Sequence, residues 1–195
     1  MTLRSVSKNH NMKKIGFCDT FDLTKAVLDG KKTQVRKIIT KPVLRKIRRY
    51  LRKNPGTSVK DAVYQICFVE NNPLSCYQVG EVVAISQCYK DCGNLEHLKD
   101  TPGWTSKMNI DPSLMPHHIQ ILDLRIQSLR GITREDCLAE GVWFNKYSLT
   151  YHINNLAYVG LSPRKTFSRM IDHIYGRGTW ENNPLVLAYT FKLLD

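Results

Sequence analysis

Apolar positions in the first third of the chain fall at helical intervals. Leu23, Ala26 and Val27 place Phe21 to Leu28 in a short helix, with Asp22 as its N-cap and Gly30 just beyond its end. The β-branched run that follows, Thr33, Val35, Ile38 and Ile39, predicts a loop entering a strand. Pro42 opens a new helix in which Val43, Leu44, Ile47 and Leu51 share one face, and Asn54-Pro55-Gly56 ends it. Thr57 or Ser58 caps another, with Val59, Ala62, Val63 and Ile66 as its apolar stripe. The two together predict a helical hairpin over 41–66.

Further along the period changes. Val79-Gly80-Glu81 leads into a strand through Val82, Val83 and Ile85, and 88–114 is loop-like, with Gly93, Pro102, Gly103 and Pro112. From His118 to Leu129 the pattern alternates: Ile119 and Ile121 and, after Leu122, Leu124 and Ile126 are apolar between polar neighbours. Thr133-Arg134-Glu135-Asp136 opens a helix with an acidic residue at N3, and Gly141 closes it. Ser162-Pro163 starts a longer helix with Phe167, Met170, Ile171 and Ile174 inward and Gly176 as its stop. Pro184 to Leu194 is a final strand. Strands and helices interleave irregularly, and no Gly-rich phosphate loop follows a strand, so a doubly wound nucleotide fold is not indicated. An α+β fold, a small mixed barrel with flanking helices, is the better expectation.

Composition adds bounds rather than identity. The chain has 195 residues, 42% of them hydrophobic and 24% charged, which is ordinary for one globular domain. No stretch approaches the roughly 18 apolar residues of a membrane span. The N-terminal segment 1–14 is polar and basic, lacks the apolar core of a secretory signal, and reads as a flexible arm before a domain over 15–195. Without such a signal, Cys18, Cys67, Cys76, Cys88, Cys92 and Cys137 are expected to be reduced thiols of a cytoplasmic protein. Cys88 and Cys92 are four apart, with His97 nearby and Cys76 upstream. No second pair completes a zinc set, so no metal or cofactor is expected.

Charge changes the picture. The net charge is +12, and residues 31–60 hold twelve Lys/Arg with no Asp or Glu. The other 165 residues are neutral, with seventeen of each sign. Like charges repel, so stability gives no reason to concentrate them. A polyanionic partner does, against the alternative of a merely solvated helix face. Lys31, Arg36, Lys37, Arg45, Lys46, Arg48, Arg49, Arg52 and Lys53 are the candidate nucleic-acid contacts.

Four ordered segments resemble ASCH-domain proteins, in particular the long type found in bacteriophages and mobile elements. Ala26 to Lys37, with Gly30-Lys31-Lys32-Thr33-Gln34-Val35-Arg36, is similar to G-[RK]-K-T-x-T-x-R. Tyr77-Gln78-Val79-Gly80-Glu81 is similar to Y-x-V-G-D. Leu129 to Gly141, with Ile132-Thr133-Arg134-Glu135-Asp136 and Glu140-Gly141, is similar to L-x-x-I-T-E-E-D-A-x-x-E-G. Tyr175 to Val186, with Gly176, Gly178, Trp180 and Asn183-Pro184, is similar to G-x-G-x-W-x-x-N-P-x-V. The likeness spans about 17–195, and the basic hairpin at 41–66 looks like an insertion.

The resemblance implies a PUA-like β-barrel with a cleft between barrel and helices, in a superfamily that mostly binds RNA. Some members are amidohydrolases acting on N4-acetylcytidine through a Lys, a Thr and a Glu, and others are described as ribonucleases. The Lys falls on Lys32 and the Glu on Glu140, but the Thr falls on Val35, which has no hydroxyl. Thr33 is the candidate substitute, because residues two apart share a strand face. Ser86-Gln87 stands where many phage members carry an Arg-Glu pair.

Three functions follow. The first is binding of RNA or a modified nucleotide, with Tyr77, Tyr89, Trp104 or Trp180 as stacking surfaces, although Trp180 is expected in the core. The second is a hydrolase in which Lys32 activates the attack and Glu140 shuttles the proton. The third is docking of the basic hairpin on a host protein. His117-His118, at a strand start, and Asp172 and His173, on the last helix, are expected at the surface.

Overall fold

The computed structural model describes residues 12–69, 76–153 and 159–194. Its centre is a five-stranded mixed sheet in the order β1 (Lys14–Ile15), β3 (Val82–Ile85), β4 (His118–Ser128), β7 (Leu185–Leu193) and β2 (Gln34–Ile38). Only the β1–β3 pair is parallel. β7 lies between β4 and β2, and its Val186, Leu187, Ala188, Tyr189 and Phe191 are all buried rather than alternating, so both faces of this strand are covered. In β4 the alternation breaks at Leu122 because a β-bulge shifts the register between Ile121 and Asp123 and leaves Leu122 exposed.

The helices are α1 (Leu23–Leu28), α2 (Lys41–Lys53), α3 (Val59–Tyr64), α4 (Arg134–Ala139), α5 (Pro163–Tyr175) and α6 (Thr179–Asn182). Their starts follow the sequence signals in most cases. Ser58 accepts from the Asp61 amide, Ser162 from the Lys165 amide, and Thr133 with Asp136 forms a full capping box. Asp22 departs from expectation. It sits in the left-handed region at φ 49°, makes no side-chain cap, and follows a 3₁₀ turn over Asp19–Phe21. One buried cluster unites Phe21 and Val27 of the α1 region, Val43 and Ile47 of α2, Ala62 and Val63 of α3, Phe167 and Ile171 of α5, and the strands.

The fold is α+β. The closed small barrel is not formed among the described residues, because the edge strands β1 and β2 are not paired with each other. Closure needs both edges to offer a matching ladder, and β1 offers only two residues. A separate hairpin of β5 (Trp143–Asn145) and β6 (Thr150–His152), unforeseen from the pattern, follows α4. The N-terminal arm also needs correction. Residues 1–11 lie outside the described residues. Lys13 and Lys14 belong to the fold, with the Lys13 amine on the Cys76 carbonyl at 2.7 Å and that of Lys14 on the Met108 carbonyl at 2.7 Å. The six cysteines are free thiols, and no helix among the described residues is long and apolar enough to cross a membrane.

Candidate functional site

The G-x-K turn before β2 is strapped on three sides. The amides of Lys31 and Lys32 bond the Ala26 carbonyl at the end of α1, the Thr33 amide bonds the Ala139 carbonyl at the end of α4, and the Phe191 amide of β7 bonds the Thr33 carbonyl. Lys32, Gln34 and Arg36 then share one face of the extended chain. Opposite them, Asp136 and Glu140 lie four residues apart, one turn along α4, with Glu140 as its C-cap. Gly141 follows at φ +101°, a conformation L side chains avoid, and turns the chain away.

Those two faces meet in a buried ionic network. The Lys32 amine donates to Glu140 Oε2 at 2.5 Å and to the Glu140 carbonyl at 3.0 Å. Arg36 donates from Nη1 to Glu140 Oε1 at 2.9 Å and from Nη2 to Asp136 Oδ2 at 2.7 Å. Arg125 of β4 reaches the other oxygen of Asp136 at 2.8 Å. The Lys32, Arg36 and Glu140 side chains are at most 3% exposed and that of Asp136 is 7% exposed. Two cations thus balance two carboxylates inside, with Arg125 at the rim. Burial lowers the Lys32 pKa, and the nearby Glu140 charge opposes that shift. Burial alone would raise the pKa of Asp136; hydrogen bonds from Arg125 and Gln34 and the Arg36 charge outweigh it, so the group is lowered.

A small cavity of 90 Å³ borders this network, lined by Phe17, Lys32, Val35, Arg36, Glu140 and Tyr175 among others. Useful ligand pockets are about 300 Å³ and upward, so a whole nucleoside does not fit as the site stands. Val35 gives the wall a hydrocarbon where the resemblance calls for a hydroxyl. Thr33 is not on that wall; it lies one residue before β2. The hydroxyl that is present belongs to Tyr175, which donates to the Arg36 carbonyl at 3.2 Å.

The candidate phosphate contacts divide. Arg45, Lys46, Arg48, Arg49, Arg52 and Lys53, with Lys41, are exposed on α2. Val43 and Ile47 face inward, so the apolar stripe anchors the helix and the cations cover its outer side. Lys31 is exposed and 3.0 Å from Asp29. Arg36 is not a surface contact, because its guanidinium is consumed by Asp136 and Glu140. Lys37 turns inward too, donating to the Tyr77 hydroxyl at 2.7 Å with its amine 4.3 Å from that ring's centroid.

The expected stacking residues fare differently again. Tyr77 and Tyr89 are buried and offer no stacking face. Trp180 is half-buried against Phe167, as expected of a core residue, and Trp104 is half-buried beside the Tyr89 cluster. Ser86 and Gln87 are both buried. Cys92 donates its thiol to the Cys88 carbonyl at 3.3 Å. His173 is exposed and packs edge-on against Phe21, whereas Asp172 accepts from the Trp180 amide. Sequence reasoning missed Arg125 and Asp136 as members of the network. The capping-box signature located Asp136, but nothing local revealed its second role.

No family model matches the chain, and no curated protein matches it significantly. Among solved structures, the crystal structure of protein EF3133 from Enterococcus faecalis V583, described as a DUF984 protein, is similar at 12% identity. The match covers 95% of this chain and 82% of that one, with a TM-score of 0.43.

Proposed function

We propose that the protein is an RNA- or nucleotide-binding member of the ASCH type, a PUA-like domain that grips phosphates with α2. One observation carries the reading: α2 presents seven exposed Lys/Arg to solvent over 41–53 and not one acidic residue. A surface helix built for stability alone intersperses the signs, because paired charges i to i+4 help and like charges repel. The ordered motifs support the family reading. The buried Lys32–Glu140 contact fits it as a structural knot that fixes the G-x-K turn.

The test is binding to short single-stranded RNA as a function of salt. Four contacts from Arg45, Arg48, Arg49 and Arg52 predict a log–log slope near −2.8, about 0.7 per phosphate, hence a roughly 50-fold loss from 50 to 200 mM salt. Reversing those four charges removes the binding. Affinity that ignores salt, or survives the reversal, sinks the proposal. An acidic host protein is the other polyanion α2 fits, and a pull-down that withstands nuclease treatment separates it from RNA.

A hydrolase is the second reading, and the 2.5 Å contact between Lys32 and Glu140 is what favours it. A buried lysine with a lowered pKa is the kind of group that attacks or takes a proton. Against it, both Glu140 oxygens are occupied and the adjacent cavity holds 90 Å³. Incubation with N4-acetylcytidine decides: we expect no release of acetate, and turnover that Lys32→Arg abolishes would establish the enzyme.

A further inference from the structure

A cluster of exposed rings stands on the β5–β6 hairpin. Trp143, Phe144, Tyr147 and Leu149 are all exposed, Tyr147 completely. Single apolar residues at a surface are ordinary, but several together mark an interaction site. These rings are held in place. Trp143 stacks on His152 across the ribbon, with centroids 4.9 Å and planes 24° apart. Thr150 Oγ1 lies 2.8 Å from His152 Nε2 and fixes that imidazole. On the other face Phe144 leans on Tyr151 at 5.0 Å.

The turn that carries Tyr147 is equally fixed. Asn145 Oδ1 accepts from the Tyr147 amide at 2.9 Å and the Ser148 amide at 3.3 Å. Leu149 follows at φ 54°, in the left-handed region that glycine or asparagine enters more easily. Stability favours neither large apolar side chains in water nor a leucine in that conformation. Strain of this kind persists where the surface it presents has a use.

Charge says what that surface meets. From 141 to 171 the sequence has four Lys/Arg and no Asp or Glu. Lys146 sits exposed in the turn. Arg134, also exposed, donates to the Tyr151 hydroxyl at 2.7 Å, its guanidinium 5.9 Å from that ring's centroid. Flat apolar rings among cations match a chain that alternates flat bases with phosphates. A second copy of this protein, at net charge +12, is repelled instead. A duplex hides its base faces.

We infer that the β5–β6 hairpin is a stacking platform for unpaired bases of RNA, with Trp143, Phe144 and Tyr147 as its rings and Lys146 and Arg134 as its phosphate contacts. The inference rests on the RNA reading of the protein and adds to it that the strand is single. Every base has a π face, so the platform contributes affinity without sequence preference. Its residues and the cations of α2 lie on different elements, so each set can be removed alone.

The experiment is a fluorescence titration of the full chain with oligouridine, the same strand in duplex, and an abasic oligomer of equal length. A stacked base quenches the indole that it covers. Wild type should bind oligouridine about tenfold tighter than the abasic chain, with quenching of Trp143. Trp143→Phe keeps a ring, and so the affinity, but loses the quenching. Trp143→Ala with Tyr147→Ala should weaken oligouridine about tenfold while leaving abasic binding and the salt slope as they were. Tyr147 is fully exposed, so Tyr147→Ala alone leaves the fold intact and should still cost about fivefold. Abasic or duplex RNA bound as tightly as oligouridine, quenching that survives Trp143→Phe, or wild-type affinity in the alanine variants overturns the inference and leaves the salt-dependent grip of α2 standing. A nuclease-resistant protein partner lost in an alanine variant of wild-type RNA affinity assigns the hairpin to protein instead. If the variant with Arg45, Arg48, Arg49 and Arg52 reversed still binds oligouridine and quenches Trp143, the platform stands and the α2 reading falls. No RNA binding by wild type overturns both.

Discussion

Glu140 serves two cations at once, one on each oxygen, and both cations are buried. Taking Glu140 away leaves Lys32 and half of Arg36 charged in a dry environment, which is the costly way to break a buried pair. Glu140→Ala should destabilise the protein by about 3–5 kcal/mol, read from urea midpoints. A loss under 1 kcal/mol would mean that water already reaches the site. Lys37 makes the opposite case, since its pKa is lowered to about 8, chiefly by burial. An unfolded lysine titrates near 10.4, so between these two values the unfolded chain holds a proton that the folded one has released. The contribution of Lys37 to stability therefore rises with pH across that window, and below it the full cost of burying the charge is present. Lys37→Met should be the more stable protein at pH 7 and lose its advantage by about pH 10. An advantage that does not change with pH would show that the amine is solvated. Neither outcome was legible locally, because Lys32, Arg36 and Lys37 look alike beside Lys31 in a basic run.

At the scale of elements, α2 was legible almost residue for residue. Its apolar stripe, its proline start and its Asn54-Pro55-Gly56 stop are local signals, and the helix runs Lys41–Lys53. Its outward cations face solvent, so on the RNA-binding proposal removing two should weaken binding and change little else. Arg45→Gln with Arg49→Gln should reduce the RNA salt slope by about 1.4. The same pair should move folding stability by less than about 0.5 kcal/mol. A large stability change would place those side chains in the packing instead. The β5–β6 hairpin was missed for an equally physical reason. Trp143 and Phe144 are both exposed, and Trp143 stacks on His152 at 4.9 Å, so the short strands carry no buried alternation to detect. Capping chemistry explains why α4 and α5 were anticipated while α6, four residues long and opened by Gly178 at φ 86°, was not.

For the whole molecule, the basic hairpin is part of the core rather than an appendage. Val43, Ile47, Ala62, Val63 and Ile66 belong to the same buried cluster as the sheet. Deleting 41–66 should therefore abolish cooperative unfolding, whereas a true insertion would leave a folded remainder with its own sharp transition. Circular dichroism through a thermal melt distinguishes the two. By itself the sequence determined what depends on neighbours within a turn or two: the helix faces, most caps, the strand alternation with its break at Leu122, and the concentration of cations over 31–60. Only the tertiary structure decided which of those cations meet solvent. Lys32 and Arg36 are neutralised by carboxylates 108 and 104 residues away, and no local pattern records so distant a partner. The open edge of the sheet was hidden as well, since β1 is two residues long and shows no alternation to read.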